Sequence, residues 1–195
     1  MVSRPAARAP RADAVRNRAK ILAAADEAFA CAGTEVPLDD VAARAGVGAG
    51  TVHRHFPTKE ALVSAVVAGR LGRLADTAET LVAGLGDPAG RPGAAGEAFA
   101  GFLVELVEHA RHNMALSEAL GGTLGVEGDE QARRLTAALA ELLAAAQRDG
   151  AVRGDLTVVE LHAVVGGALA MERHLPAGRT GLGLEVVVQG LRPRS

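Results

Sequence analysis

The stretch from Leu38 to Pro57, LDDVAARAGVGAGTVHRHFP, constrains the fold most, because it fits two short helices joined by a sharp turn. Leu38, Val41, Ala42 and Ala45 stand at i, i+3, i+4 and i+7 and form one apolar helical face. Gly46 breaks that helix, and Val47 begins a tight turn. A second segment, from Ala49 to Phe56, places Val52 and Phe56 on one side, and Pro57 stops it. With those two inward, a helical step of roughly 100° per residue turns Gly50 and Arg54 outward and leaves Thr51 and His53 on the flanks. A helix with one face for a core and another free for a groove suits the reading helix of a helix-turn-helix.

The remainder of the chain has helical periodicity throughout. Residues 1–12 are rich in Pro, Ala and Arg and read as a basic flexible arm. A first helix is expected over 13–32, with Ile21, Leu22, Ala25, Ala28 and Phe29 as its stripe and Gly33 closing it. Thr58 is a candidate N-cap for a fourth helix that reaches Val82. GLGDPAGRPG, residues 84–93, reads as a loop. Further helices are expected over 94–112, 114–120 (before Gly121-Gly122), 127–148, 157–175 (stopped by Pro176) and 182–191. The expected fold is therefore all-α, with about nine helices. It comprises the arm, a helix-turn-helix domain over 13–58, and a larger helical domain over 59–195.

Charge agrees with that division. The formal net charge is −2, but residues 1–20 hold six Lys/Arg against one Asp/Glu. Basic character at one end of an acidic chain fits a small nucleic-acid-contacting domain joined to a larger one with another task. A single cysteine, Cys31, excludes an intramolecular disulfide and a cysteine zinc cluster, and reads as a small buried hydrophobe at a helix end. No stretch reaches 18 apolar residues, and no apolar run follows the N-terminal arginines, so neither a membrane span nor a secretory signal is expected. The expected location is the cytoplasm.

The segment VAARAGVGAGTVHRHFPTKEAL, residues 41–62, resembles the DNA-binding signature of the TetR family of bacterial repressors, in one ungapped register. The resemblance extends over roughly residues 14–66. It implies an operator-binding homodimer, with Thr51, His53 (where the family usually has Tyr), His55 and Lys59 on backbone phosphates. Ala49 and Gly50 would approach base edges. The leading edge Gly48-Ala49-Gly50 carries no side chain able to make paired hydrogen bonds to a base, and Gly48 gives helix three no side-chain N-cap. Asp39 stands where some relatives place a base-reading Arg. Site selection is therefore expected to rest on Arg44, Arg54, a thymine-methyl contact by Ala49, and DNA shape. Arg4, Arg8 and Arg11 of the arm are candidates for the minor groove, so removing residues 1–12 should weaken operator binding and flatten its salt dependence.

For the C-terminal two-thirds, the resemblance implies an unknown small-molecule effector and dimerisation. Phe99, Phe102, Leu103, Leu106 and His109 on one helix, with Leu139, Leu142 and Leu143 opposite and Met171 and His162 beside them, are the pocket candidates. Leu161, Val165, Ala168, Leu169, Val187 and Leu191 are the dimer-interface candidates, with intramolecular core as the alternative. Gly166-Gly167 weakens its helix, and close helix–helix approach is the expected compensation. His109 and His112, with Glu105 and Glu108, admit a metal site but read better as a solvated polar face. No nucleophile–base pair, phosphate loop or paired-acid motif occurs, so no catalytic residue, cofactor or resident metal is expected. The function expected is a ligand-responsive repressor released from a palindromic operator. A sensor with a vestigial DNA domain and an activator or nucleoid-type protein remain the alternatives.

Overall fold

The computed structural model describes residues 10–85, 91–119, 130–172, 174–175 and 181–193. Among them are eight α-helices and no strand: α1 (Pro10–Ala32), α2 (Leu38–Ala45), α3 (Ala49–His55), α4 (Lys59–Gly84), α5 (Ala94–Ala119), α6 (Glu130–Arg148), α7 (Val158–Glu172) and α8 (Leu182–Gly190). A single 3₁₀ turn, Gly33–Glu35, follows α1. The all-α expectation holds, with one helix fewer. The segments expected at 94–112 and 114–120 form one helix, because neither Gly nor Pro interrupts His112-Asn113-Met114. Helix α1 starts three residues earlier than expected and takes in the end of the arm, since Pro10 fits a first turn. The arm through residue 9, the loop centre at 86–90, Gly121-Gly122 and Pro176 lie outside the described residues.

The chain divides into two compact units, one ending at Val67 and including the end of α5 from Ala115, the other holding most of the remainder. In the first unit, α1 packs on α2 and α3, and α2 packs on α3. Ile21, Ala25 and Phe29 of α1 meet a core that includes Val41, Val52, Phe56 and Leu62, all fully or almost fully buried. Cys31 is exposed, which corrects the expectation of burial. The last turn of α1 runs past its apolar stripe, so Ala30, Cys31 and Ala32 all face solvent.

In the second unit, α6 shows most simply why the bundle forms. Leu135, Ala138, Leu139, Leu142, Leu143 and Ala146 repeat at helical spacing and are all buried. At its N-terminal half, Arg134 ties α6 to α4. The guanidinium bonds Glu79 at 2.6 and 3.0 Å and Asp76 at 2.7 Å. Bonds to Glu79 first, then Asp76, raise the arginine's pKa further above its ordinary value. The end of α6 forms a tied corner. Asp149 accepts hydrogen bonds from the N–H groups of Gly93 (3.1 Å) and Gly96 (3.3 Å), capping α5 from a distant part of the chain. Gly150 turns the chain at φ +73°, a left-handed conformation open to glycine. Arg153 N–H then bonds the Leu191 carbonyl at the end of α8, at 2.9 Å. Thr157 and Glu160 form a capping box on α7. Glu160 N–H donates to Thr157 Oγ1 (3.2 Å), and Thr157 N–H donates to the Glu160 carboxylate (2.8 Å).

Candidate nucleic-acid interface

Helix α2 ends in a paired set of bonds. Gly46 N–H reaches the Ala43 carbonyl at 3.2 Å and Val47 N–H reaches the Ala42 carbonyl at 3.1 Å. This Schellman motif needs a left-handed residue, and Gly46 has φ +65°. The turn therefore follows from one glycine. Gly48 then stands extended at ψ 147° before α3 and makes no side-chain cap, as expected. Phe56, preceding Pro57, is extended (φ −137°, ψ 92°) and ends the helix. Thr58 Oγ1 accepts the Ala61 N–H at 3.2 Å and caps α4, also as expected. Backbone hydrogen bonding at Glu60, then the Thr58 side chain, holds the Glu60 carboxyl below its ordinary pKa.

Helix α3 is clamped on one side and bare on the other. Val52 and Phe56 are 0% and 2% exposed. Ala49, Gly50, His53 and Arg54 are exposed, while Thr51, His55 and Lys59 are half-buried. Arg44, in the last turn of α2, is exposed as well. No carboxylate of the described residues pairs with Arg44 or Arg54. A Cβ placed on Gly48 or Gly50 would meet nothing within 4 Å. Packing within the chain therefore does not demand glycine at either position.

Sequence reasoning missed Arg18. Its guanidinium lies over the Phe56 ring, 5.1 Å from the centroid, and joins α1 to the end of α3. The contact spans 38 residues and has no local signature.

The expected effector residues fall into different places. Phe99, Phe102, Leu106, Leu139 and Leu143 are buried in the core of the second unit. His109 is half-buried, and its Nδ1–H donates to the Glu105 carbonyl at 3.0 Å. Met171 is 51% exposed and does not join the buried set. Phe99 also lines a cavity of about 170 Å³ with Leu103 and residues near the end of α8. No cluster of three metal-ligating side chains occurs among the described residues.

The six expected interface residues, Leu161, Val165, Ala168, Leu169, Val187 and Leu191, are all buried in their own chain's core. The opposite face of α7 is the exposed one. It carries Val159 (73% exposed), Ala163, Gly166 and Gly167, flanked by Val164 and Met171, and Val186 is exposed on α8. A Cβ on Gly166 or Gly167 would meet open space.

Comparison with known proteins agrees with this architecture. Residues 21–66 match the family described as bacterial regulatory proteins, tetR family, and residues 94–193 match that described as transcriptional regulator SbtR-like, C-terminal domain. A TetR transcription regulatory protein from Mycobacterium vanbaalenii is 43% identical, over 93% of this chain and 98% of that one, with a TM-score of 0.65. A TetR transcriptional regulator from Streptomyces coelicolor is 30% identical, over 91% and 99%, with a TM-score of 0.67. RolR, solved in complex with resorcinol, is 18% identical over 93% and 90%, with a TM-score of 0.60, a likeness of fold. No curated protein matches the sequence. No described helix is long and apolar enough to cross a membrane. A clamped helix-turn-helix, an all-helical second unit and identity along nearly the whole chain lead to one assignment: the chain belongs to the TetR family of bacterial transcriptional regulators.

Proposed function

We propose that the protein is a cytoplasmic repressor that binds a palindromic operator as a homodimer and leaves it when a small molecule binds the C-terminal domain. The observation that carries this reading is α3 itself, with Val52 and Phe56 sealed in the core and Ala49, Gly50 and Arg54 left facing out. In this reading Thr51, His53, His55 and Lys59 hold phosphates, with Lys59 at the positive start of α4. Arg44 and Arg54 bring charge to the groove, and the glycine-rich edge lets the backbone approach closely. Two α3 helices then occupy successive major grooves about 34–36 Å apart.

Dimerisation by α7 and α8 is part of the proposal. The face offered is the exposed one, Val159, Ala163, Gly166, Gly167 and Val186, because the opposite residues are covered by their own chain. Small residues there let two helices approach closely. An effector that binds one spacing of the two α3 helices better than another shifts the population, and α4, which contributes to both units, carries the change. RolR, a neighbour in fold, was solved with resorcinol, which supports a small organic effector here.

The test is a gel-shift titration with the promoter region of the gene that encodes the chain. Saturable binding, lost in Arg54→Ala and Lys59→Ala proteins that remain dimeric by light scattering, is the expected result. Undiminished binding by both variants would refute it.

A further inference from the structure

We propose that the cavity between the start of α5, the α6–α7 connector and the end of α8 is a binding site for a compact monocarboxylate of benzoate size. The proposal rests on the effector-binding role of the C-terminal domain and names the ligand class. Phe99, Leu103, Val152, Val188 and Leu191 supply apolar wall, and Arg192 is the charged residue among those lining the cavity. Phe99, Leu103, Val152 and Leu191 are 6% exposed or less, while Arg192 is exposed. The volume, about 170 Å³, is close to that of an apolar cavity of about 150 Å³ known to hold benzene. One six-membered ring or an equally compact branched group therefore matches its volume.

The walls are held by bonds that need no ligand. Asp149 grips the N–H groups of Gly93 and Gly96, and Arg153 N–H holds the Leu191 carbonyl. A site held open in this way loses little entropy on binding. No carboxylate of the described residues pairs with Arg192. A planar guanidinium beside an apolar hollow matches a carboxylate on an apolar body, because the fork takes both oxygens while the ring leaves water.

Calorimetric titration of the full chain with sodium benzoate tests the site, with benzylamine and benzamide as the cationic and neutral counterparts. One saturable site per chain is expected, with benzylamine not bound. Arg192→Gln should weaken benzoate about tenfold or more while leaving benzamide nearly unchanged. Ala100→Phe, which fills the cavity, should abolish both. Methyl NMR of wild-type protein adds a readout independent of the variants' folding, with Leu103, Val188 and Leu191 signals shifting on benzoate addition. Absence of saturable binding, equal binding of benzylamine, or indifference to Arg192→Gln would overturn the proposal. Operator binding by the ligand-free protein tests the repressor reading separately, so either can fail alone.

Discussion

Arg18 places its guanidinium over the face of Phe56, 5.1 Å from the ring centroid, so a cation of α1 holds down the residue that ends the reading helix. Phe56 is nearly fully buried in the same core as Val52. Arg18→Ala should lower the unfolding free energy by about 0.5–1 kcal/mol, the usual size of such a contact near the surface. Phe56→Ala should cost about 3–5 kcal/mol. Urea denaturation followed by circular dichroism measures both. An Arg18→Ala protein as stable as wild type would show that the stacking contributes nothing.

Arg54 and Lys59 should fail in different ways on DNA. Arg54 faces outward from α3, where loss of a base contact costs about 1–3 kcal/mol and relaxes selection at one position. Lys59 stands at the start of α4 and is proposed to hold phosphate, so Lys59→Ala should weaken all sequences alike and reduce the salt slope by about one. Fluorescence anisotropy of labelled duplexes over a salt series separates the two, and identical slopes for wild type and Lys59→Ala would remove the phosphate assignment.

Gly166 offers a sharper test of the dimer face than any apolar truncation. Alanine at this exposed helical position meets nothing within its own chain and should stabilise α7 by about 1 kcal/mol through propensity alone. A partner helix packed on the glycine would meet the added methyl. The expected outcome is a Gly166→Ala protein that dimerises more weakly in sedimentation experiments. A dimer of unchanged affinity would move the interface elsewhere.

Acid should act on α7 through Glu160. Its carboxyl lies below the ordinary value of 4.5, held first by the Thr157 backbone N–H and then by the Thr157 side chain. A depressed folded-state pKa contributes stability that is fully present above 4.5 and is lost as pH falls through the lower folded value. Glu160→Gln should therefore be less stable than wild type at pH 7, and the difference should shrink as pH falls below 4.5. Melting temperatures between pH 3 and 7 measure this, and a constant gap would exclude the capping carboxylate as its source.

The helix-turn-helix was legible because its determinants are local. Gly46, Pro57 and the spacing of Val41, Val52 and Phe56 act within a few residues of themselves. The break expected near His112 was false for the same reason, since no local breaker stands there and α5 runs through. Helix α7 defeated periodicity differently. Both of its faces are apolar or small, so spacing alone does not tell Leu161 and Val165, which meet their own core, from Val159 and Ala163, which do not. Cys31 was misjudged because cysteines are usually buried, while this one lies past the end of the apolar stripe of α1. Arg18 and Asp149 act across long stretches of chain, and no window of the sequence contains both partners.

The Asp149 cap also changes what the first turn of α5 reports. Most helix starts fray independently, and their amide protons exchange with solvent quickly. The Gly93 and Gly96 amides are secured instead by a carboxylate 56 and 53 residues away. Their exchange is therefore coupled to the far end of α6, and two glycine signals in a hydrogen-exchange spectrum serve as a remote gauge of whether that corner of the bundle is closed.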